Sequence, residues 1–148
     1  MRHHNATPKS SATNQTWAAL VPELVCTDLA SSLRFWCDIL GFAVRYDRPG
    51  FAYLHLGGAE VMLEQAGGHW ETAPLDPPLG RGINFQIEVA DVKTLHDRVV
   101  AADVPLFRPL ATQWYRAKDQ QFGQTEFLVA APDGYLLRFM QHIGEKPA

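Results

Sequence analysis

Two hydrophobic periodicities take turns along this chain. Leu29, Leu33, Trp36 and Leu40 recur at helical spacing and make one apolar stripe; Val92, Leu95, Val99 and Ala102 make a second. Asp28 and Asp91 stand just ahead of the stripes, where a short acidic side chain caps a helix N-terminus. Gly41 follows the first stripe and can take the left-handed conformation that ends a helix. Around the stripes runs the two-residue alternation of strands. It predicts strands over 19–26, 42–47, 51–56 and 59–65, with turns at Arg48-Pro49-Gly50 and Gly57-Gly58. Beyond a stretch rich in glycine and proline (66–81) it predicts strands over 83–89 and 104–108. An aromatic loop carrying Trp114 and Tyr115 follows, then a closing strand pair within 122–141. Ala131-Pro132-Asp133-Gly134 suits a type I turn between the last two.

The order strand, helix, strand, strand, strand thus occurs twice. VPELVCTDLASSLRF from Val21 lies over NFQIEVADVKTLHDR from Asn84, and GAEVMLEQ from Gly58 lies over GYLLRFMQ from Gly134. Two matches in the same order predict a duplicated module. The expected fold class is α+β: two tandem βαβββ modules forming a cup-shaped mixed sheet, helices on the outer face. The expected division is a mobile arm (1–16), a first module (17–65), a linker (66–81), a second module (82–143) and a tail (144–148).

One strand face is apolar and must receive the helical stripes. It carries Leu20, Leu24, Cys26, Val61, Leu63, Ile83, Phe85, Ile87, Val89, Leu137 and Phe139. The other mixes Val21, Glu23, Val25, Glu60, Met62, Glu64, Asn84, Gln86, Glu88, Leu136, Arg138 and Met140. A solvated face would be polar throughout, whereas apolar walls with a few placed polar groups describe a lined cavity.

Composition narrows the partners. At 148 residues the chain fits one domain or two small halves sharing a core. A net charge of -3 with no basic run argues against nucleic acid, and no apolar run is long enough to cross a bilayer. Cys26 and Cys37 are too few for a disulfide framework and read as reduced, buried thiols, with Cys26 on the helix-packing face and so not activated. Reduced thiols make a cytoplasmic location the expectation, and the opening residues lack the apolar segment of a signal peptide. His55, His69, His96 and His142 show no ligand spacing, and the His3-His4 pair reads as a solvated terminus.

PELVCTDLASSLRFWCDILGF from Pro22 and FGQTEFLVAAPDGYLLRF from Phe122 resemble the opening and closing segments of the vicinal oxygen chelate superfamily. That superfamily holds glyoxalases, extradiol dioxygenases and bleomycin-resistance proteins, and the resemblance is closest to the last. It implies a cup of paired modules in which metal-dependent members draw ligands from four strand positions. Here those positions fall on Val21, Met62, Asn84 and Arg138. Valine and methionine do not ligate a hard or borderline divalent ion, and arginine repels it, so no metal or other cofactor is expected.

The resemblance then implies a dimer that binds a small cationic, flat-aromatic ligand in crevices between subunits, without chemistry. The expected ligand-binding residues are Glu23, Met62, Glu64, Asn84, Gln86, Glu88, Trp114, Tyr115, Phe122 and Arg138, with no catalytic residue. The glutamates supply negative charge and the aromatics flat stacking surfaces. Phe122, Thr125 and Ala131 replace the usual Trp, Arg and Asp of the closing motif, which leaves the ligand's identity open. Arg138 is expected to line the cup and pair with Glu64 or Glu88. Two alternatives stand beside this reading: a divalent-metal glyoxalase, lyase or dioxygenase using ligands such as Glu64 and His55, and a dimerisation module whose cup is filled by its own side chains.

Overall fold

The computed structural model describes residues 16–148. The expected arm, apart from Thr16, lies outside the described residues. The first module runs β1 (Glu23–Cys26), α1 (Leu29–Leu33), β2 (Ala43–Arg48), β3 (Phe51–Leu56) and β4 (Ala59–Gln65). The second runs β5 (Asn84–Glu88), α2 (Val92–Ala101), β6 (Leu106–Ala117), β7 (Gln120–Ala130) and β8 (Leu136–Pro147). Each forms a four-stranded mixed sheet, ordered β1-β4-β3-β2 and β5-β8-β7-β6. In both, the first strand pairs in parallel with the last and the rest are antiparallel. The fold is the expected α+β pair of tandem modules with a cupped sheet.

The repeat extends to single side chains. Asp28 accepts from the Ser31 amide and Asp91 from the Thr94 amide, so both helices start on the same cap. Gln65 closes β4 and takes the Leu29 amide on its Oε1 at 2.9 Å; Gln141, its counterpart in β8, takes the Val92 amide at 3.1 Å. Each glutamine thereby satisfies an orphan helix N–H and ties a helix to the last strand of its own module.

α1 passes into a wider π-helical turn over Arg34–Ile39, with the Leu40 amide reaching back to the Phe35 carbonyl. The extra residue brings consecutive Phe35 and Trp36 inward, and both are buried. The helix ends as expected at Gly41, whose φ is +87°. One apolar core spans both modules: Trp36, Leu40, Leu54 and Leu63 from the first join Val99, Phe127, Val129, Leu137 and Phe139 from the second. The 131–134 turn locks the halves together. The Gly134 amide closes it onto the Ala131 carbonyl, Asp133 accepts from the Thr27 amide and hydroxyl, and Tyr135 donates to the Val25 carbonyl.

Five local expectations need correction. β1 starts at Glu23, because Pro22 has no amide to give a ladder, and Leu20 is 84% exposed instead of core. Ile83, expected on the packing face, also precedes its strand and is exposed. Residues 106–117 form one strand, so Trp114 and Tyr115 lie on β6 and not in a loop. Cys26 is buried as expected, but Cys37 is only half-buried. The chain past Gln141 pairs with β7 as far as Pro147, a strand that its Gly144 and charged residues do not announce.

Candidate ligand site

The register fixes which residues share the concave face of each sheet. In the first, Glu23, Met62, Tyr53 and Tyr46 form a row across β1, β4, β3 and β2, and Val25, Glu64, Phe51 and Arg48 form the next. In the second, Gln86, Arg138, Leu128 and Arg108 form one row, and Glu88, Met140, Glu126 and Ala111 the next. The predicted cup residues on β1, β4, β5 and β8 therefore do share a face within each module.

On the first sheet, Glu60 is the centre. Its side chain is 3% exposed and accepts from the Tyr53 hydroxyl at 2.5 Å and the Ala18 amide at 2.7 Å, while Arg45 meets its other oxygen at 2.5 Å. Burial alone would raise the Glu60 carboxyl, but the bonds from Tyr53 and Ala18 and the charge of Arg45 outweigh it and hold the group below its ordinary value. The Tyr53 phenol is pushed up to about 12 by burial and by Glu60. Trp17, beside Ala18, packs edge-on against Tyr53 at 5.0 Å with the Arg45 guanidinium 4.7 Å from its ring centre. The segment ahead of β1 thus lies strapped across this face.

Lower on the same face, Glu23 and Glu64 stand side by side. Burial, then the charge and hydrogen-bonding contact of Glu64, raise the Glu23 carboxyl above its ordinary value. Oε2 of Glu64 is buried with no hydrogen-bond partner among the described residues. Arg48, in the same row as Glu64, offsets the pair only in part, and the Glu64 oxygen still lacks a donor.

On the second sheet Glu126 is buried, accepting from the Tyr115 hydroxyl at 2.5 Å and from Nε2 of the Gln124 side chain at 2.7 Å. The bond to Glu126 and partial burial push the Tyr115 phenol up, against the opposing charge of Arg138. Arg138 faces the concave side, yet among the described residues it forms no ion pair, and its Nε is buried without a partner. The expected pairing with Glu64 or Glu88 is therefore absent. Glu64 belongs to the other sheet, and the Arg138 charge acts on the Tyr115 phenol.

The expected aromatic trio is split. Tyr115 and Phe122 are cross-strand partners on the concave side. Strand alternation sends Trp114 to the opposite side, where its ring lies over Gly123 with the Lys146 ammonium 3.9 Å from the ring centre. Sequence reasoning also passed over Glu126, Tyr53 and Arg45. Glu126 sits inside the closing motif, and its place two residues after Gln124 on an alternating strand was the available signal. The arginines on β2 and β6 (Arg45, Arg48 and Arg108) also make the concave faces less acidic than the strands β1, β4, β5 and β8 alone imply.

A divalent ion of the kind used by relatives with metal chemistry does not fit this donor set. Among the described residues no three His, Cys, Asp or Glu side chains converge on one point. His55 pairs with Glu60 in register and Glu64 with Phe51. At ~3.3 Å per residue that puts His55 and Glu64 ~13 Å apart along the sheet, too far to share an ion. Nor is there an activated thiol, since burial pushes Cys26 up to about 11.

The family model described as the glyoxalase/bleomycin resistance protein/dioxygenase superfamily matches residues 17–139. The chain belongs to that superfamily. A bleomycin resistance protein of Geobacillus stearothermophilus is 27% identical over 132 residues, covering 83% of this chain and 96% of the relative. Among solved structures, TioX from Micromonospora sp. ML1 superposes with a TM-score of 0.67 at 23% identity, covering 85% of this chain and 99% of that one. A protein of unknown function from Agrobacterium tumefaciens gives the same TM-score and identity, covering 87% and 97%. These two share the fold.

Proposed function

We propose that the protein is a small-molecule binder of the bleomycin-resistance type, which sequesters a cationic, flat-aromatic organic ligand without chemistry, and that it does so as a homodimer with the ligand crevices between subunits. The observation that carries this reading is the Glu23–Glu64 pair. Two carboxylates in contact, one with a buried and unpartnered oxygen, are relieved by a cation from outside. Flat surfaces for the rest of the ligand come from Tyr115 and Phe122, which are 42% and 36% exposed on the concave side of the second sheet. A dimer brings that face of one subunit against the first-sheet face of the other, joining the anionic pair to the aromatic pair. The bleomycin resistance protein among the relatives supports the ligand class. Among the described residues no helix is long and apolar enough to cross a membrane.

Calorimetric titration with metal-free bleomycin tests the reading, with sedimentation fixing the oligomeric state. Saturable binding that weakens at least tenfold in Glu64→Gln is the expected result. Binding untouched by that change would remove the carboxylate pair from the site, and no binding at high ligand would remove the drug class.

A further inference from the structure

A largely apolar cavity opens at the seam between the modules, beyond the Glu23–Glu64 pair and the Tyr115–Phe122 pair. It measures about 280 Å³ and is walled on one side by the strap residues Ala18, Leu20 and Pro22 and on the other by β5. Trp36, Phe42 and Val61 are among the apolar residues beneath it, and Ala59 narrows it from the start of β4. This is above the ~150 Å³ that holds a benzene-sized guest and close to the low end of small-molecule pockets.

Its polar groups are few and of one kind. Asn84 and Gln86, both exposed on the free edge of β5, bring two carboxamides to the rim, and neither side chain is engaged in a hydrogen bond among the described residues. The single charged group lining the cavity is Glu60, and its charge is already spent on Arg45, Tyr53 and the Ala18 amide. A cation entering here finds no free carboxylate, and an anion meets the back of one. A carboxamide, in contrast, offers one donor and one acceptor side by side, the complement of a ligand amide edge.

We propose that this seam cavity is a second binding site, one that takes a neutral, flat aromatic group bearing an amide or lactam edge, with Asn84 and Gln86 reading the edge and Trp36 and Phe42 packing under the ring. It shares Glu60 and Gln86 with the concave rows, but neither the Glu23–Glu64 pair nor Tyr115 and Phe122 line it, and it selects a neutral group instead of a cation. The strap wall is held in place by Glu60 through the Ala18 amide.

Three isosteric probes decide the matter: 2-naphthamide, 2-naphthamidine and 2-naphthoate, titrated against the full chain while the side-chain amide signals of Asn84 and Gln86 and the Trp36 indole signal are followed by NMR. The neutral amide should bind at least tenfold tighter than either charged analogue and shift all three signals. Ala59→Phe, which fills the cavity, should abolish binding at unchanged fold. If that variant unfolds, Gln86→Leu on the exposed edge strand should still weaken the amide about tenfold or more. Equal binding of the three probes, no binding of the amide, or amide binding that survives in a folded Ala59→Phe each overturns the proposal. Glu64 does not line the seam cavity and Ala59 lies outside the Glu23–Glu64 pair, so bleomycin binding that depends on Glu64 and amide binding that depends on Ala59 fail separately.

Discussion

Replacing Glu60 by leucine removes the acceptor that three donors share and leaves the Arg45 guanidinium without its partner. The Glu60 side chain is 3% exposed and that of Arg45 is 15% exposed. Breaking a buried ion pair from one side costs ~3–5 kcal/mol, and the partial exposure of Arg45 puts this case near ~3 kcal/mol, since water recovers some of its solvation. For a chain of this size that corresponds to a fall in Tm of about 6–12 °C. The double replacement Arg45→Leu with Glu60→Leu removes both charges and should regain about half of the loss, because a buried pair is worth little against an apolar pair of similar volume. Urea unfolding of the four proteins at neutral pH measures the cycle. Glu60 is held below its ordinary carboxyl value in the folded state, so it contributes stability above that ordinary value. The contribution disappears as pH falls through the lower, folded value. The gap between wild type and Glu60→Leu should therefore narrow in acid. A single-variant cost below ~1 kcal/mol, or a double variant no better than the sum of the singles, would refute the claim that this cluster pins the strap.

Cation binding at the Glu23–Glu64 pair should strengthen as pH rises through the raised Glu23 value and fade below it; Glu64→Gln should move that step to lower pH, as read by calorimetry across the carboxylate range. Gln65→Ala and Gln141→Ala each orphan one helix N–H and should cost about 1 kcal/mol, nearly equal to each other, by denaturant melts; a large inequality would argue against the equivalence of the two modules. Gly123→Ala places a Cβ 2.7 Å from the Trp114 ring, so the indole must leave its position under Lys146. Since Trp114 is 39% exposed, it can swing out at a cost of about 1 kcal/mol, seen as a red shift in tryptophan emission; an unchanged spectrum would contradict the stacking.

The parts of the fold legible in the sequence are those where local and tertiary demands agree. Asp28 and Asp91 cap helices because only the backbone beside them is involved, and the stripe through Trp36 and Leu40 packs because its period matches a helix. Failures come where a distant partner decides. Residues 109–117 hold a proline and an aromatic pair that read as loop, yet β7 supplies a full ladder for them. Leu20 and Ile83 are as apolar as any core residue, but each lies before a strand begins and has no sheet to place it. At the site, alternation on single strands correctly put Glu23, Glu64, Gln86 and Arg138 on one side of their sheets. It could not show that Arg45 and Arg48 arrive on the same side from β2, because a bulge after Val44 shifts the register there.

The two modules differ in a way that follows function instead of folding. Residues that hold each helix to its sheet are the same in both copies: Asp28 and Asp91 as caps, Gln65 and Gln141 as the tie. Concave positions differ at almost every step. Glu23 answers to Gln86, Met62 to Arg138, Glu64 to Met140 and Glu60 to Leu136. A helix N–H imposes one chemical demand wherever it occurs, so its partner keeps its identity through the duplication. A concave face carries no such demand for folding, and its charges are costly to bury unless something compensates them. Glu60 is compensated from within by Arg45, and Glu126 by two neutral donors. Glu64 and Arg138 each keep a buried polar atom without a partner, on opposite modules and with opposite charge. Those two atoms are where an incoming molecule has most to gain. Because they sit on different sheets, a ligand that met both would have to bridge one module's face to another's, which the proposed pairing of subunits supplies.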